Sequence, residues 1–190
     1  MKLSHLAGAA LVLSASAALA QQQSGAVTIG GILDAGVRRD SGSVAGGIYG
    51  VNSGQSLPSR MTFSGYEDLG SDLKAGFVLE TGLALDTGIG NSNPPGVAAG
   101  PMTFGRTASL AIGSDSRGYL SMGRQYTPLW AVTAGPATDP FGASWLGGVG
   151  TVATATIRAS NSIAYSYGYT YKTMLRPAPF VGLGAGVMYA

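Results

Sequence analysis

LKAGFVLETGL, the stretch at residues 73–83, shows a strict alternation that predicts the fold of this chain. The odd-numbered positions carry Leu73, Ala75, Phe77, Leu79, Thr81 and Leu83, and the even-numbered positions carry Lys74, Gly76, Val78, Glu80 and Gly82. A β-strand places alternate residues on opposite faces. The stretch therefore predicts a strand with one mainly apolar face and one small or polar face.

The same alternation recurs at residues 27–37, where Val27, Ile29 and Leu33 share a parity and Thr28 and Asp34 share the other. Alternating runs of about ten residues exceed the usual strand of five or six and suit a tilted membrane strand. A face that carries Lys, Glu and Asp cannot form a dry core. We therefore expect lipid on the apolar face and water on the polar face, with a half-solvated soluble sheet as the alternative.

Period-two patterning predicts seven strands in all. These lie at residues 26–38, 59–67, 72–85, 104–113, 117–125, 161–171 and 180–190. Tight turns at 67–72 and 114–116 alternate with long connections at 39–58, 89–102 and 126–160. Short turns at one end and long loops at the other are typical of outer-membrane barrels.

The N-terminus has the layout of a secretory signal peptide. Residues 6–19 are apolar or small, and Ala18-Leu19-Ala20 has the small-x-small pattern of a cleavage site. The apolar run is shorter than the ~20 residues that a membrane-spanning helix needs. We therefore expect residues 1–20 to be removed and residues 21–190 to enter the cell envelope.

Composition excludes several functional classes. The chain of 190 residues has no Cys, its single histidine is His5, and charged residues make up only 11% of it with a net charge of +2. These figures argue against a disulfide scaffold, His-based catalysis, most zinc sites and a basic nucleic-acid surface. Glu67 and Asp68 are adjacent and would point to opposite faces of a strand, so they do not suggest a paired-carboxylate site. We predict no enzyme activity, no metal, no cofactor and no nucleic-acid partner.

Six blocks of sequence, taken in order, resemble one protein family. They are residues 27–36, 59–70, 72–82, 104–106, 118–126 and 161–165. They resemble the general porins of Gram-negative outer membranes, especially the Gly-rich subgroup of β-proteobacteria, over most of residues 26–171. The order and spacing of the six blocks are far more specific than any one of them.

The resemblance implies an all-β, transmembrane antiparallel barrel of sixteen strands, in outer-membrane lipid, through which small hydrophilic solutes and ions diffuse. It also implies a homotrimer. Residues 21–190 would supply the N-terminal part of this barrel, an incomplete half with about seven of the strands. An open sheet leaves unsatisfied edge groups in lipid, so we expect the N-terminal part of a porin, either a fragment or a truncated gene product, that forms no working pore by itself.

The resemblance further implies a set of residues at the pore constriction. Residues 126–160 would be the third loop, which folds into the pore, and Asp139 stands where the family often has an acid. Opposite it, the wall arginines would be Arg60, Arg106 and Arg158, with Arg124 as a further candidate that could instead anchor the loop. Cations on one wall and an acid on the other give a strong transverse field, which tunes ion preference.

Loss of Lys2 with the signal peptide leaves 10 Lys and Arg against 9 Asp and Glu, a net charge of +1. Together with the three wall arginines, this charge predicts a mild preference for anions.

Three other functions remain open at this point. A small monomeric outer-membrane barrel of eight strands could act as a structural anchor, but it needs an eighth strand and a filled interior. An outer-membrane enzyme would have to work without histidine. An exported soluble β protein, such as an adhesin, would need one densely packed apolar face.

Overall fold

A computed structural model describes residues 26–43, 46–90, 103–133, 156–168 and 185–190. The predicted signal peptide at 1–20, Asp139 and most of the predicted third loop lie outside these residues. In the part of the chain that is described, no helix is long and apolar enough to cross a membrane.

The described residues form nine strands and one short helix. In chain order these are β1 (Ala26–Ile32), β2 (Ala35–Ser43), β3 (Gly46–Ser53), β4 (Arg60–Gly70), β5 (Leu73–Gly82), β6 (Thr107–Ser114), β7 (Gly118–Tyr126), α1 (Pro128–Thr133), β8 (Arg158–Tyr167) and β9 (Ala185–Tyr189).

Seven of these strands form one antiparallel sheet, in the order β1-β4-β5-β6-β7-β8-β9. Each strand pairs with the next one along the chain, except that the hairpin β2–β3 lies between β1 and β4. All seven strands overlap the seven predicted ones, so the all-β antiparallel prediction is confirmed. The C-terminal end of the predicted third loop begins β8 instead, from Arg158 onwards.

The hairpin β2–β3 was not predicted. The first predicted strand, at residues 26–38, is interrupted just before the hairpin begins at Ala35. β2 and β3 form a separate two-stranded sheet, although the Gly and Ser content of residues 39–58 indicated a loop. The break falls at Asp34, whose carboxylate accepts the backbone N–H groups of Gln55, Ser56 and Leu57 at 3.0, 3.0 and 2.8 Å. These bonds satisfy three backbone donors after β3 and return the chain towards β4.

Strand register gives the main sheet two chemically different sides. Along one row Phe77 lies opposite Leu110, Leu110 opposite Met122, and Met122 opposite Ile163; we call this the apolar side. The neighbouring row, on what we call the polar side, contains Val78, Ser109, Gly123 and Ser162.

Burial is the reverse of what a soluble sheet shows. Leu110 is 60% exposed, and other large apolar side chains of the same side are exposed too. Among the described residues the buried hydrophobic ones are Val78, Tyr119 and Ala164, and all three stand on the polar side. An apolar side that stays open and a polar side that is buried fit a sheet with lipid outside, and they contradict the soluble β protein with an apolar core.

The two short turns of the sheet are joined to each other. Lys74 Nζ lies 2.9 Å from a carboxylate oxygen of Asp115 and 3.6 Å from one of Asp72. Ser116 Oγ also donates to Asp72 at 2.6 Å. That hydroxyl is the main reason why the pKa of Asp72 lies below its usual value. Both hairpins, β4–β5 and β6–β7, are therefore tied together at this end.

Candidate functional site

Four charged side chains and one tyrosine meet at the opposite end of the sheet, where the long connections begin. Arg60 and Arg158 are the first residues of β4 and β8, and Arg106 directly precedes β6. Glu80 and Tyr126 lie at or near the ends of β5 and β7. Because neighbouring strands are antiparallel, the starts of β4, β6 and β8 and the ends of β5 and β7 lie at the same end of the sheet. We call the five residues the arginine cluster.

Glu80 is the centre of the cluster. Arg106 Nε lies 2.6 Å from Glu80 Oε1, and Arg60 Nε lies 3.6 Å from Oε2. Thr62 Oγ1 donates to Oε2 at 3.2 Å. Glu80 is buried, and Arg106 is only 2% exposed, so this ion pair is shielded from solvent and screened little by salt.

Arg158 has a different main partner, Tyr126. Its Nη2 donates to the Tyr126 hydroxyl, and its Cζ lies 4.1 Å from the centre of the Tyr126 ring, a cation–π contact. Arg106 Nη2 donates to the same hydroxyl at 3.3 Å. The Nη2 atom of Arg158 approaches Glu80 Oε1 only to 3.9 Å.

The cluster carries an excess of positive charge. Three arginines face one carboxylate, which leaves a net charge of 3 − 1 = +2. Arg106 Nη1 and Arg158 Nε are buried and have no hydrogen-bond partner among the described residues. Buried donors are nearly always satisfied in folded proteins. A concentration of guanidinium donors with spare bonding capacity is suited to attracting an anion.

The described residues contain no group of three or more His, Cys, Asp or Glu side chains that could hold a metal ion.

Comparison with known proteins shows to which family the chain belongs. The Gram-negative porin family matches residues 7–190. The chain belongs to the Gram-negative porin family. This confirms the predicted resemblance, and it places the protein in the outer membrane.

Two curated porins and one solved structure are similar to this porin chain. An outer membrane porin protein of Bordetella pertussis is 35% identical over 186 residues, which cover 87% of this chain and 44% of that protein. Outer membrane porin protein 32 of Delftia acidovorans is 33% identical over 188 residues, which cover 94% and 47%. The anion-selective porin from Comamonas acidovorans has a TM-score of 0.61 and 29% identity, over 88% of this chain and 47% of that one. The chain thus spans about half the length of the relatives it matches.

The porin structure brings together three of the predicted constriction residues, namely Arg60, Arg106 and Arg158. It does not bring Arg124 to them. That residue lies opposite Ala108, on the side of the sheet that carries Leu110. Its Nε donates to the carbonyl of Gly105 at 2.6 Å and its Nη1 donates to Ser160 Oγ at 2.8 Å. These bonds link β7 to the segments before β6 and within β8. Asp139 lies outside the described residues.

Sequence reasoning missed Glu80 and Tyr126 as members of the cluster. Glu80 was assigned to the polar face of its strand, but its three arginine partners come from distant segments that alternation alone cannot pair. Tyr126 has the same sequence parity as Met122 and Arg124, which stand on the apolar side. The pairing of β7 with β8 shifts register between Gly123 and Gln125, and beyond the shift Tyr126, the last residue of β7, pairs with Arg158, the first residue of β8. Alternation alone does not predict that pairing, which places the Tyr126 hydroxyl within hydrogen-bonding distance of Arg158 and Arg106.

Proposed function

We propose that the seven-stranded sheet forms part of the wall of a water-filled channel, through which small hydrophilic solutes and ions diffuse passively, and that anions pass more readily than cations. The observation that carries this proposal is the net charge of +2 on the arginine cluster, on the polar side of a sheet whose other side is apolar and exposed. This role requires no catalytic step, and we infer that the protein is not an enzyme.

Electrostatics supports the preference for anions. Charges in a narrow aqueous path with low-dielectric walls act over a longer range than they would in bulk water. Arginine keeps its charge at any pH that the cell meets. Glu80 neutralises only one of three guanidinium groups, so it orients the arginines more than it cancels them. The similarity to the anion-selective porin from Comamonas acidovorans supports the same proposal.

The edges of the sheet bear on how the channel is completed. In the described sheet, β1 and β9 each have a strand on one side only. Backbone groups that stay unpaired in hydrocarbon cost several kcal/mol each. We therefore propose that both edges pair with further strands in the outer membrane, and that the complete channel is a homotrimer, as the resemblance implies.

Planar-bilayer recordings test this function. The native assembly, extracted from outer membranes, should give stepwise conductance and a reversal potential on the anion side in a salt gradient. The 190-residue chain on its own should give no stable steps, because its edges are open. A structural anchor predicts no conductance from the native assembly either, and that outcome would overturn the channel.

Variants of the cluster test the preference for anions. Arg60→Gln, Arg106→Gln and Arg158→Gln should each move the reversal potential towards the cation side. Arg38→Gln removes an equal charge from the exposed hairpin, where Arg38 pairs with Asp40, and should leave the potential unchanged. A cation preference in the unmodified assembly, or no shift in all three variants, would refute the proposal.

A further inference from the structure

Arg158 is held in the cluster in a different way from the other two arginines. Arg60 and Arg106 face the carboxylate of Glu80 at 3.6 and 2.6 Å, which offsets their charge. Arg158 approaches that carboxylate only to 3.9 Å. Within the described parts of the chain, its hydrogen bond and its cation–π contact both go to Tyr126, a neutral side chain. The arginine that receives least compensation from Glu80 is therefore held by a neutral side chain.

Tyr126 also connects two arginines that repel each other. Its hydroxyl accepts one hydrogen bond from Nη2 of Arg158 and another from Nη2 of Arg106. Tyr126 is paired directly with Arg158 across β7 and β8, so its ring is fixed by the strand on which it stands. Without this tyrosine, a long, flexible arginine next to another cation would lower its free energy by turning away, because the repulsion decreases and more conformations become accessible.

We propose that Tyr126 is the positioning residue of the arginine cluster: it fixes Arg158 beside Arg106 without cancelling the charge of either. This inference rests on the proposed function, since it explains how the cluster keeps its excess charge at a defined place. A carboxylate at position 126 could make the same two hydrogen bonds, but it would lower the net charge of the cluster from +2 to +1. A phenylalanine would keep the ring and lose both bonds.

The decisive variant is Tyr126→Phe in the native assembly. It keeps the ring under Arg158 and removes the hydroxyl. Loss of one hydrogen bond to a charged group corresponds to roughly a tenfold change in the population of the held conformer. The ratio of anion to cation permeability should therefore fall towards that of Arg158→Gln. Resistance to thermal dissociation on gels should stay close to that of the unmodified protein, because Arg106 keeps its bond to Glu80.

The matched control is Tyr119→Phe. Tyr119 lies on the polar side, and its hydroxyl donates to Asp115 at 2.7 Å, at the short-turn end of the sheet. It should leave the permeability ratio unchanged. A merely structural tyrosine would affect thermal stability and conductance at either position, whereas a positioning tyrosine changes ion preference at position 126 alone.

Tyr126→Glu covers the case in which the phenylalanine variant does not assemble. It retains acceptors for both arginines, so it should assemble and lose much of the anion preference. The inference is overturned if Arg158→Gln shifts the permeability ratio while Tyr126→Phe leaves it unchanged, or if Tyr126→Glu keeps the full preference. If none of Arg60→Gln, Arg106→Gln and Arg158→Gln shifts the ratio, the proposed function itself fails, and the role of Tyr126 in it fails for that separate reason.

Discussion

Arg106 and Glu80 are joined twice, once through side chains and once through the backbone. Arg106 Nε donates to Glu80 Oε1 at 2.6 Å, and the backbone N–H of Arg106 donates to the carbonyl oxygen of Glu80 at 3.2 Å. The backbone bond fixes where the chain enters β6, and the side-chain bond fixes the direction of the guanidinium. The start of β6 and the orientation of the Arg106 guanidinium are thus fixed by the same two residues.

Glu80→Gln should destabilise the assembly. It leaves three guanidinium groups without a carboxylate, and breaking a buried ion pair by removing one partner costs about 3 kcal/mol or more. We expect the folded form to be lost at a lower temperature, as measured by heat-dependent mobility on gels. In assemblies that survive, the cluster charge rises from +2 to +3, so the anion preference should increase.

Glu67→Gln is the comparison for Glu80→Gln. Glu67 lies on the same hairpin and is exposed, so its loss should change stability by no more than about 0.5 kcal/mol. Equal transition temperatures for Glu80→Gln and the unmodified protein would show that the carboxylate is not needed to hold the arginines.

Adjacent residues on β6 should report opposite surroundings. The chain contains no cysteine, so single cysteines at Ser109 and Leu110 can carry a spin label without background. The label at position 110, on the apolar side, should relax faster with oxygen, which partitions into lipid. The label at position 109 should relax faster with a water-soluble nickel chelate. The same accessibility at both positions would contradict the two-sided sheet.

Acid should loosen the segment after β3. The pKa of Asp34 lies below its ordinary value of 3.8, chiefly because the backbone N–H of Leu57 donates to its carboxylate. A lowered folded-state pKa stabilises the fold above the unfolded value, and this contribution is lost as pH falls through the folded value. Hydrogen exchange at the amides of Gln55 and Leu57 should therefore show protection at neutral pH that is lost as the pH falls below 3.8.

Asp34→Asn should weaken that protection at neutral pH and flatten its dependence on acid, since the amide cannot ionise. Asp40→Asn removes an exposed carboxylate bonded to Arg38 in the same hairpin and should leave the protection of Gln55 and Leu57 unchanged. If the amides of Gln55 and Leu57 stay fully protected in the Asp34 variant, contacts other than the Asp34 carboxylate hold this segment in place.

Gly123 should not tolerate a side chain. Its φ is +120°, and a Cβ would lie 2.2 Å from the carbonyl oxygen of Ala108. Gly123→Ala should cost about 1–3 kcal/mol, the range for a residue forced into an unfavourable backbone conformation, and should lower the temperature of thermal dissociation. Gly30→Ala meets no atom within 4 Å and should behave like the unmodified protein. If both variants dissociate at the same temperature, the close approach at Gly123 does not exist.

The sequence predicted the main sheet well, because its strands are long and one side has to be apolar. The clearest case is the strand predicted at 72–85 and found as Leu73–Gly82. The hairpin β2–β3 escaped prediction because its stability comes from pairing, such as Val37 opposite Val51, and not from a buried face. A Gly- and Ser-rich sequence does not distinguish such a strand pair from a loop.

The arginines were named from family resemblance, and the structure adds the contacts that join them. Strand alternation can place Glu80 on a face but cannot choose its partners, which come from β4, the segment before β6, and β8. The Tyr126 contact depends on the pairing of Tyr126 with Arg158, which follows a register shift between Gly123 and Gln125. Sequence alternation does not reveal such a shift, because it depends on how two strands pair.

Pairing between sequence neighbours has a consequence for how the protein assembles. Antiparallel partners that follow each other closely, as β4–β5 and β6–β7 do, require little loop-closure entropy before their hydrogen bonds form. We therefore expect the sheet to grow one strand at a time from either hairpin, because each added strand can pair with a strand that is already formed. Growth of this kind would leave two unpaired strand edges at every step, so the number of exposed backbone groups would stay nearly constant as the sheet widens.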